Sequence, residues 1–171
     1  RVVRALSLAP HKRVERIPIG FAQRRERVAQ RLIQRAFARF VRLGERLRLF
    51  EVRTRGAAGL AGDPTLVIAN HPTLLDVVFL IAYMPQADCI VKKAAWRNRY
   101  LRGVAAAAGY LPNDVGEALV EACVSRLRRD RTLLMFPEGT RSPHRRLGRL
   151  QRGAAHVALR SGVPLLPVVI T

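Results

Sequence analysis

The sequence predicts an α/β protein, with a mixed sheet flanked by helices and a basic amphipathic helix near the N-terminus. Three features predict it. From residue 65 onward, short β-rich runs alternate with runs of helical period, the pattern of strands that cross over through helices. The stretch 21–50 has no proline and a single glycine, Gly44, so nothing interrupts a helix there. And 171 residues, 49% of them hydrophobic and 25% charged, suffice for one core and exclude a wholly disordered chain.

The elements follow in order. Over 21–50, Arg24, Arg31, Arg35, Arg39, Arg42 and Arg46 share one arc of a helical wheel. Leu32, Ile33, Ala36, Phe37, Phe40, Leu43 and Leu47 form the neighbouring apolar arc, and Val28 falls on the arginine side. Two readings are open: a helix lying on an anionic membrane with arginines on phosphates, or a helix docked on its own domain with a solvated charged face. Residues 56–64, rich in glycine and alanine, read as a connector between an N-terminal segment 1–55 and a domain 56–171. A strand is expected at 65–69, an apolar helix at 74–84 ended by Pro85, and a strand at 88–91. A helix at 97–108 stops at Gly109, and 110–111 is extended. A helix at 114–129 carries Leu119, Ala122, Cys123 and Leu127 on one side. A strand at 132–136, a helix at 152–160 and a strand at 164–170 complete the series. The chain opens on Arg1 and closes at Thr171 just after an apolar run, so it is expected to be a C-terminally truncated piece of a longer one. No run reaches the ~18 apolar residues of a membrane span, and no signal peptide is visible. Two cysteines without a secretion signal fit a reducing cytoplasm.

Charge narrows the partners. Thirty-one Lys+Arg against 12 Asp+Glu leave a net +19 and a pI near 11.8. Residues 1–55 hold 16 basic and 4 acidic side chains, residues 56–171 hold 15 and 8, so the first third carries most of the excess. Such a surface seeks anions: nucleic acid, an anionic membrane or phosphorylated small molecules. A nucleic-acid module is the alternative this charge raises. The few aromatics form no stacking series among the basic residues, and no helix-turn-helix, RNA-recognition or zinc-finger signature is present. No specific nucleic-acid partner is therefore expected. Cys89 and Cys123 sit in apolar runs and read as core. His11, His71, His144 and His156 have no metal-ligand spacing, so no metal is expected. The glycine patterns of nucleotide sites are absent.

Two constellations carry chemistry. The first is Asn70-His71-Pro72-Thr73-Leu74-Leu75-Asp76, at a strand-to-helix turn. Asp76, in the first helical turn, can reach back to the imidazole. A carboxylate on one ring nitrogen fixes the tautomer and leaves the other free to take a proton, which a general base for a hydroxyl requires. Thr73-x-x-Asp76 is equally a capping box, and His71 can be a satisfied surface histidine. The second is Phe136-Pro137-Glu138-Gly139-Thr140-Arg141-Ser142, a tight turn after a buried strand. Its arginine can grip a phosphate with two bonds and its hydroxyls can add donors. Alone, this stretch also fits an ordinary polar turn. Both lie at the carboxyl ends of strands, where open α/β sheets bind ligands.

Together the two stretches resemble the glycerolipid and lysophospholipid acyltransferases, the family of 1-acylglycerol-3-phosphate acyltransferases, over residues 50–171. The resemblance implies acyl transfer from acyl-CoA or acyl-carrier protein, as co-substrate with no cofactor, to a lysolipid hydroxyl in phospholipid biosynthesis. It implies His71 as general base and Asp76 as its orienting partner. Asn70, Thr73, Glu138, Gly139, Thr140 and Arg141 would shape the acceptor site, with Arg141 on phosphate, and the run 163–169 resembles the motif near the acyl donor. It further implies a helical segment seated on a membrane, on the cytoplasmic face. A non-catalytic lipid-binding relative would carry the same motifs. Two departures stand out. Thr73 replaces the usual serine. The stretch 109–114, Gly-Tyr-Leu-Pro-Asn-Asp, lacks the arginine that binds acceptor phosphate, a charge that Lys92 or Lys93 could supply.

Overall fold

The computed structural model describes residues 2–5, 20–114, 116–142 and 148–171. His11 and His144, and Val115 of the helix expected at 114–129, lie outside the described residues. Seven strands form one sheet: β1 (Val2–Ala5), β2 (Arg53–Arg55), β3 (Leu66–Ala69), β4 (Asp88–Val91), β5 (Leu111–Pro112), β6 (Leu133–Met135) and β7 (Leu165–Ile170). Their order is β2-β1-β7-β3-β6-β4-β5. The pairs from β7 to β5 are parallel, and β1 runs antiparallel to β7. The sheet is mixed, as the alternating sequence implies.

Side chains alternate across the central strands, because successive residues of a strand point to opposite faces. Val67, Ala69 and Leu134 enter a core with Leu80 and Ile81 of α2 (Asp76–Ala82) and Met84 just after it. Leu66, Leu133 and Met135 enter a second core with Cys123, Val124 and Leu127 of α5 (Glu117–Leu127) and Val157 of α6 (Gly153–Ser161). Helices therefore cover both faces, as buried parallel strands need.

The long helix α1 (Phe21–Arg46) stops four residues before the expected end. Arg48 takes the left-handed conformation at φ 56°, and the Leu49 N–H donates to the Gly44 carbonyl at 2.9 Å. That reversal closes the helix and folds Phe50 back onto Gly44, where a Cβ would meet the ring at 2.2 Å. The helix expected at 97–108 is α4 (Arg99–Ala107), and a short helix not expected from the sequence, α3 (Lys93–Arg97), precedes it. Asn98 between them is extended and caps α4, accepting from the Tyr100 and Leu101 N–H groups. The connector holds a 3₁₀ turn, Ala57–Ala61, that buries Leu60. β1 and β2 were not expected from the sequence. The helix at 114–129 begins later, at Glu117, after Gly116 at φ 112°.

The predicted apolar arc of α1 divides. Ile33 and Phe37 pack on the core, whereas Leu32, Phe40, Leu43 and Leu47 are exposed. Polar groups complete the docked face. The Gln30 amide donates to Asp88 and to the Ala108 carbonyl, each at 2.9 Å, and Gln34 donates to the Ala82 carbonyl at 2.7 Å. Asp88, fully buried, accepts from Arg131 Nε at 2.6 Å and Nη2 at 2.5 Å, and Arg131 also reaches Glu26 of α1. Burial pushes the Asp88 carboxyl up, against the opposing pull of Arg131, Arg126 and Gln30.

Removing one partner of a buried ion pair strands the other charge. Arg131→Met should therefore cost about 3–5 kcal/mol in urea unfolding, and Asp88→Leu combined with it should recover part of that loss. Cys89 and Cys123 lie in the core, and burial pushes both thiols up to about 12. Since the thiolate is the reactive form, neither should react with iodoacetamide at pH 8 until the protein is unfolded, as mass spectrometry would record.

Candidate active site

β3 and β6 are parallel neighbours, so the chain leaves both at the same edge of the sheet. This adjacency brings 70–76 against 136–142. Asn70 continues β3 by a side chain. Its Oδ1 accepts the Ile170 N–H at 2.7 Å and its Nδ2 donates to the Ile170 carbonyl at 2.8 Å. Both ends of the amide are occupied by β7 main chain, so Asn70 ties strands together instead of facing a substrate.

His71 follows, with 15% of its side chain exposed. Its Nδ1 lies 3.2 Å from Asp76 Oδ2. Asp76 is fully buried at the start of α2 and also accepts the Thr73 N–H and, at 2.6 Å, the Thr73 hydroxyl. Three donors thus satisfy a buried carboxylate that would otherwise be costly. An ionised carboxylate can only accept, which assigns the imidazole proton to Nδ1 and leaves Nε2 with a lone pair. Nε2 has no hydrogen-bond partner among the described residues. The Phe136 ring stacks on the imidazole at 4.3 Å and 26°, fixing its plane. The capping box is only half formed, since Asp76 accepts the Thr73 N–H but α2 is capped at Leu75 without a side-chain bond; the Thr73 hydroxyl instead orients Asp76, and Asp76 orients His71. Thr73 is engaged in this way, not as an open substrate ligand.

Glu138 is buried, 5% exposed, and points inward. Its Oε1 accepts the His71 N–H at 3.2 Å and the Ser142 hydroxyl at 2.5 Å, and its Oε2 accepts the Gly148 N–H at 2.7 Å. Glu138 thus lines the neighbouring cleft while its carboxylate oxygens are bonded within the turn, so its part there is to hold the turn in shape. Ser142 adds two bonds, its N–H donating to the His71 carbonyl at 2.8 Å and its Oγ accepting the His71 N–H at 3.0 Å. Gly139 has φ 67°, and a Cβ there would meet Gln151 Nε2 at 2.6 Å. Gly148 lacks the Cβ that would meet Glu138 Oε2 at 2.3 Å. Gly139 is thus a backbone requirement of the turn.

Thr140 and Arg141 are exposed, as expected of ligand-facing groups. They border a cleft of about 510 Å³ that Arg149, Leu150 and Arg152 also line. Lys93 is ion-paired with Asp114, and Lys92 is exposed. Sequence reasoning missed Gly148, Arg149 and Arg152, and it quoted Phe136 without its stacking on the imidazole. Ser142 lay inside the quoted motif, so its presence was legible though its two bonds to His71 were not.

Comparison with known proteins agrees with this arrangement. A family model described as Acyltransferase matches residues 47–171. The 1-acyl-sn-glycerol-3-phosphate acyltransferase of Saccharomyces cerevisiae is 28% identical over 156 residues, covering 86% of this chain and 50% of that protein. The 1-acyl-sn-glycerol-3-phosphate acyltransferase alpha of Ovis aries is 27% identical over 129 residues, covering 70% and 45%. The chain thus spans about half the length of these curated relatives. Among solved structures, the 1-acyl-sn-glycerophosphate acyltransferase PlsC of Thermotoga maritima superposes with a TM-score of 0.68 at 17% identity, covering 88% of this chain and 75% of that one. At that identity the likeness speaks for the fold. With a family match over most of its length, a sheet of the same architecture and both motif turns in contact, the chain belongs to the acyltransferase family.

Proposed function

We propose that the protein transfers a fatty acyl chain from a thioester, acyl-CoA or acyl-carrier protein, to the hydroxyl of a lysophospholipid in phospholipid synthesis. The observation that carries this reading is the His71–Asp76 pair, with Nδ1 committed and Nε2 open, at the sheet edge beside the Phe136–Ser142 turn. Family membership sets the reaction class. In the proposed step, Nε2 takes the proton of the acceptor hydroxyl as its oxygen attacks the thioester carbonyl. The tetrahedral intermediate collapses, the C–S bond breaks, and the departing sulfur takes that proton back from the imidazolium. Asp76 offsets the transient positive charge and holds the ring. No resident cofactor enters the step. The buried, protonated thiols argue against an acyl-cysteine intermediate.

The exposed stripe of Leu32, Leu43 and Leu47, with Phe40 and Val28 at its margins, supports a bilayer as partner. It runs beside the exposed Arg24, Arg31, Arg35, Arg39, Arg42 and Arg46. Contiguous apolar surface rimmed by arginine suits the interface of an anionic leaflet, and the cytoplasmic leaflet is the anionic one. Among the described residues no helix is long and apolar enough to cross a membrane, so the stripe would lie along the surface.

His71→Ala should reduce acyl transfer by roughly 10²–10⁴-fold in a variant that still folds, at a cost of about 1–3 kcal/mol for the donor that buried Asp76 loses; full activity in that variant would sink the mechanism. Asp76→Asn should lose a similar factor, because a carboxamide can donate to Nδ1 and turn the imidazole to the wrong tautomer. Leu32→Ser, Leu43→Ser and Leu47→Ser together should weaken co-sedimentation with phosphatidylglycerol vesicles by more than about tenfold, since each leucine forfeits on the order of 1.5 kcal/mol of burial. The stability of that variant should be nearly unchanged, since all three side chains face outward.

A further inference from the structure

A second cleft lies at the opposite edge of the sheet from His71. β3, β4 and β6 begin there, at Leu66, Asp88 and Leu133, and about 20 Å of extended chain separates Thr65 from His71. The cleft holds about 370 Å³ between α1, the connector after β2 and the turn from α5 to β6. A small group bound in it does not reach the imidazole.

Four arginines line this cleft, Arg27 and Arg31 from α1 and Arg129 and Arg131 from the turn before β6. Arg131 is buried, and its guanidinium is taken up by Asp88 and Glu26. The other three have no carboxylate partner among the described residues. Asp130 is the one acid among the lining residues, so positive charge dominates. Gln86 stands between Arg27 and Arg31. Its amide oxygen accepts from Arg27 Nη1 at 3.4 Å in one orientation and from Arg31 Nε at 3.1 Å in the other. One neutral oxygen thus serves two guanidinium groups and neutralises neither. Like charges gathered in a concave site repel, and an anion between them relieves the repulsion.

The helix says from which side such an anion arrives. At 100° per residue, Arg27 and Arg31 fall about 60° and about 100° round α1 from the buried Gln30, whereas Leu32 and Leu43 fall about 200° and about 220° round. The cleft arginines therefore sit on a flank of α1, turned from the stripe that would meet a bilayer, and water reaches them. We infer that this cleft binds a small soluble phosphate-bearing anion, apart from the reacting centre. Guanidinium forks match phosphate oxygens. The anion bridges Arg27 of α1 to Arg129 of the α5–β6 turn, and so fastens the helix to the sheet beside the contacts of Glu26 and Gln30.

The test is hydrogen–deuterium exchange of the full-length protein with millimolar sodium diphosphate, read by mass spectrometry. Exchange should slow at 24–34 and at 128–132, since a bound anion suppresses local opening. Arg27→Gln with Arg129→Gln should abolish that protection and weaken diphosphate binding in calorimetry about tenfold or more, as loss of bonds to a charged group implies. Arg27 is half-buried and Arg129 exposed, so this variant should fold, which unchanged exchange of β3 and β6 without the anion checks; if it does not fold, Arg129→Gln alone carries the same test. Arg149→Gln with Arg152→Gln, in the other cleft, should keep the protection, and sodium chloride of equal ionic strength should not reproduce it. Protection confined to 138–152, equal protection in the Arg27 and Arg129 variant, equal protection by chloride, or none in the wild type would each overturn the inference. So would protection by phosphatidylglycerol vesicles with none by diphosphate, which would make the anion a lipid headgroup. Each outcome is read whether or not the protein transfers acyl chains.

Discussion

The carboxylate of Glu138 joins segments that meet nowhere else in the sequence. It is buried, and a buried charge is tolerated only when its lone pairs are taken. Its three donors come from three places: the main chain of His71 after β3, the hydroxyl of Ser142 in its own turn, and the main chain of Gly148 on the returning segment. Satisfying one group therefore sets three backbones relative to each other. The arrangement is possible only because β3 and β6 are neighbours in the sheet, so their exits share an edge. It also dictates composition. A side chain at Gly148 would occupy the space of the Glu138 oxygen, and another hydroxyl-free residue at Ser142 would leave the His71 N–H with one acceptor fewer.

The central strands and the helices on both faces were legible because their patterns are local: short continuous apolar runs at 66–69 and 133–135, helical period elsewhere. β1 and β2 were not. Arg53-Thr54-Arg55 has no apolar face, and only its pairing with β1 makes it a strand. Asn98 sets the start of the predicted helix through a cap, and the short α3 before it has too few residues to show a helical period. Within the site, the His71–Asp76 pair was visible because five residues of a tight turn leave few ways for the two side chains to miss each other. The bonds that Glu138 and Asn70 make to the main chain were not legible, for the opposite reason. Their residue types suggest ligands, but which way a side chain faces is decided by tertiary burial. Arg149 and Arg152 belong to no local pattern, and the cleft that gives them meaning needs the fold.

The helix α1 docks on the domain and leaves a second face free, on which the proposed membrane contact would rest. A helix of 26 residues has perimeter enough for a docked face and a free one. Its docked face is partly polar, with Glu26, Gln30 and Gln34 reaching Arg131, Asp88 and backbone carbonyls. Its free face carries Leu32, Leu43 and Leu47. A helix meant for water would place these groups the other way round. The polar inner contacts also fix rotation about the helix axis more sharply than apolar packing would, because hydrogen bonds depend on direction. The outer stripe is thereby aimed, not merely exposed.

The distribution of the arginines explains more than their number. An arginine beside a carboxylate contributes little beyond its neighbourhood, whereas one without a partner adds to the field that draws ligands in. The acids of this chain are few, and several are already committed: Asp88 and Glu26 to Arg131 and Arg126, Glu117 and Glu121 to Arg160, Glu51 to Arg53, Asp114 to Lys93. Little negative charge remains to neutralise the outer row of α1 or the cleft beside Glu138. Those two places hold arginines with no carboxylate partner among the described residues. Two separate fields of this kind can each draw an anionic group to its own place, and under the proposed function these would be a bilayer surface and the neighbourhood of His71; a uniformly basic surface would favour neither.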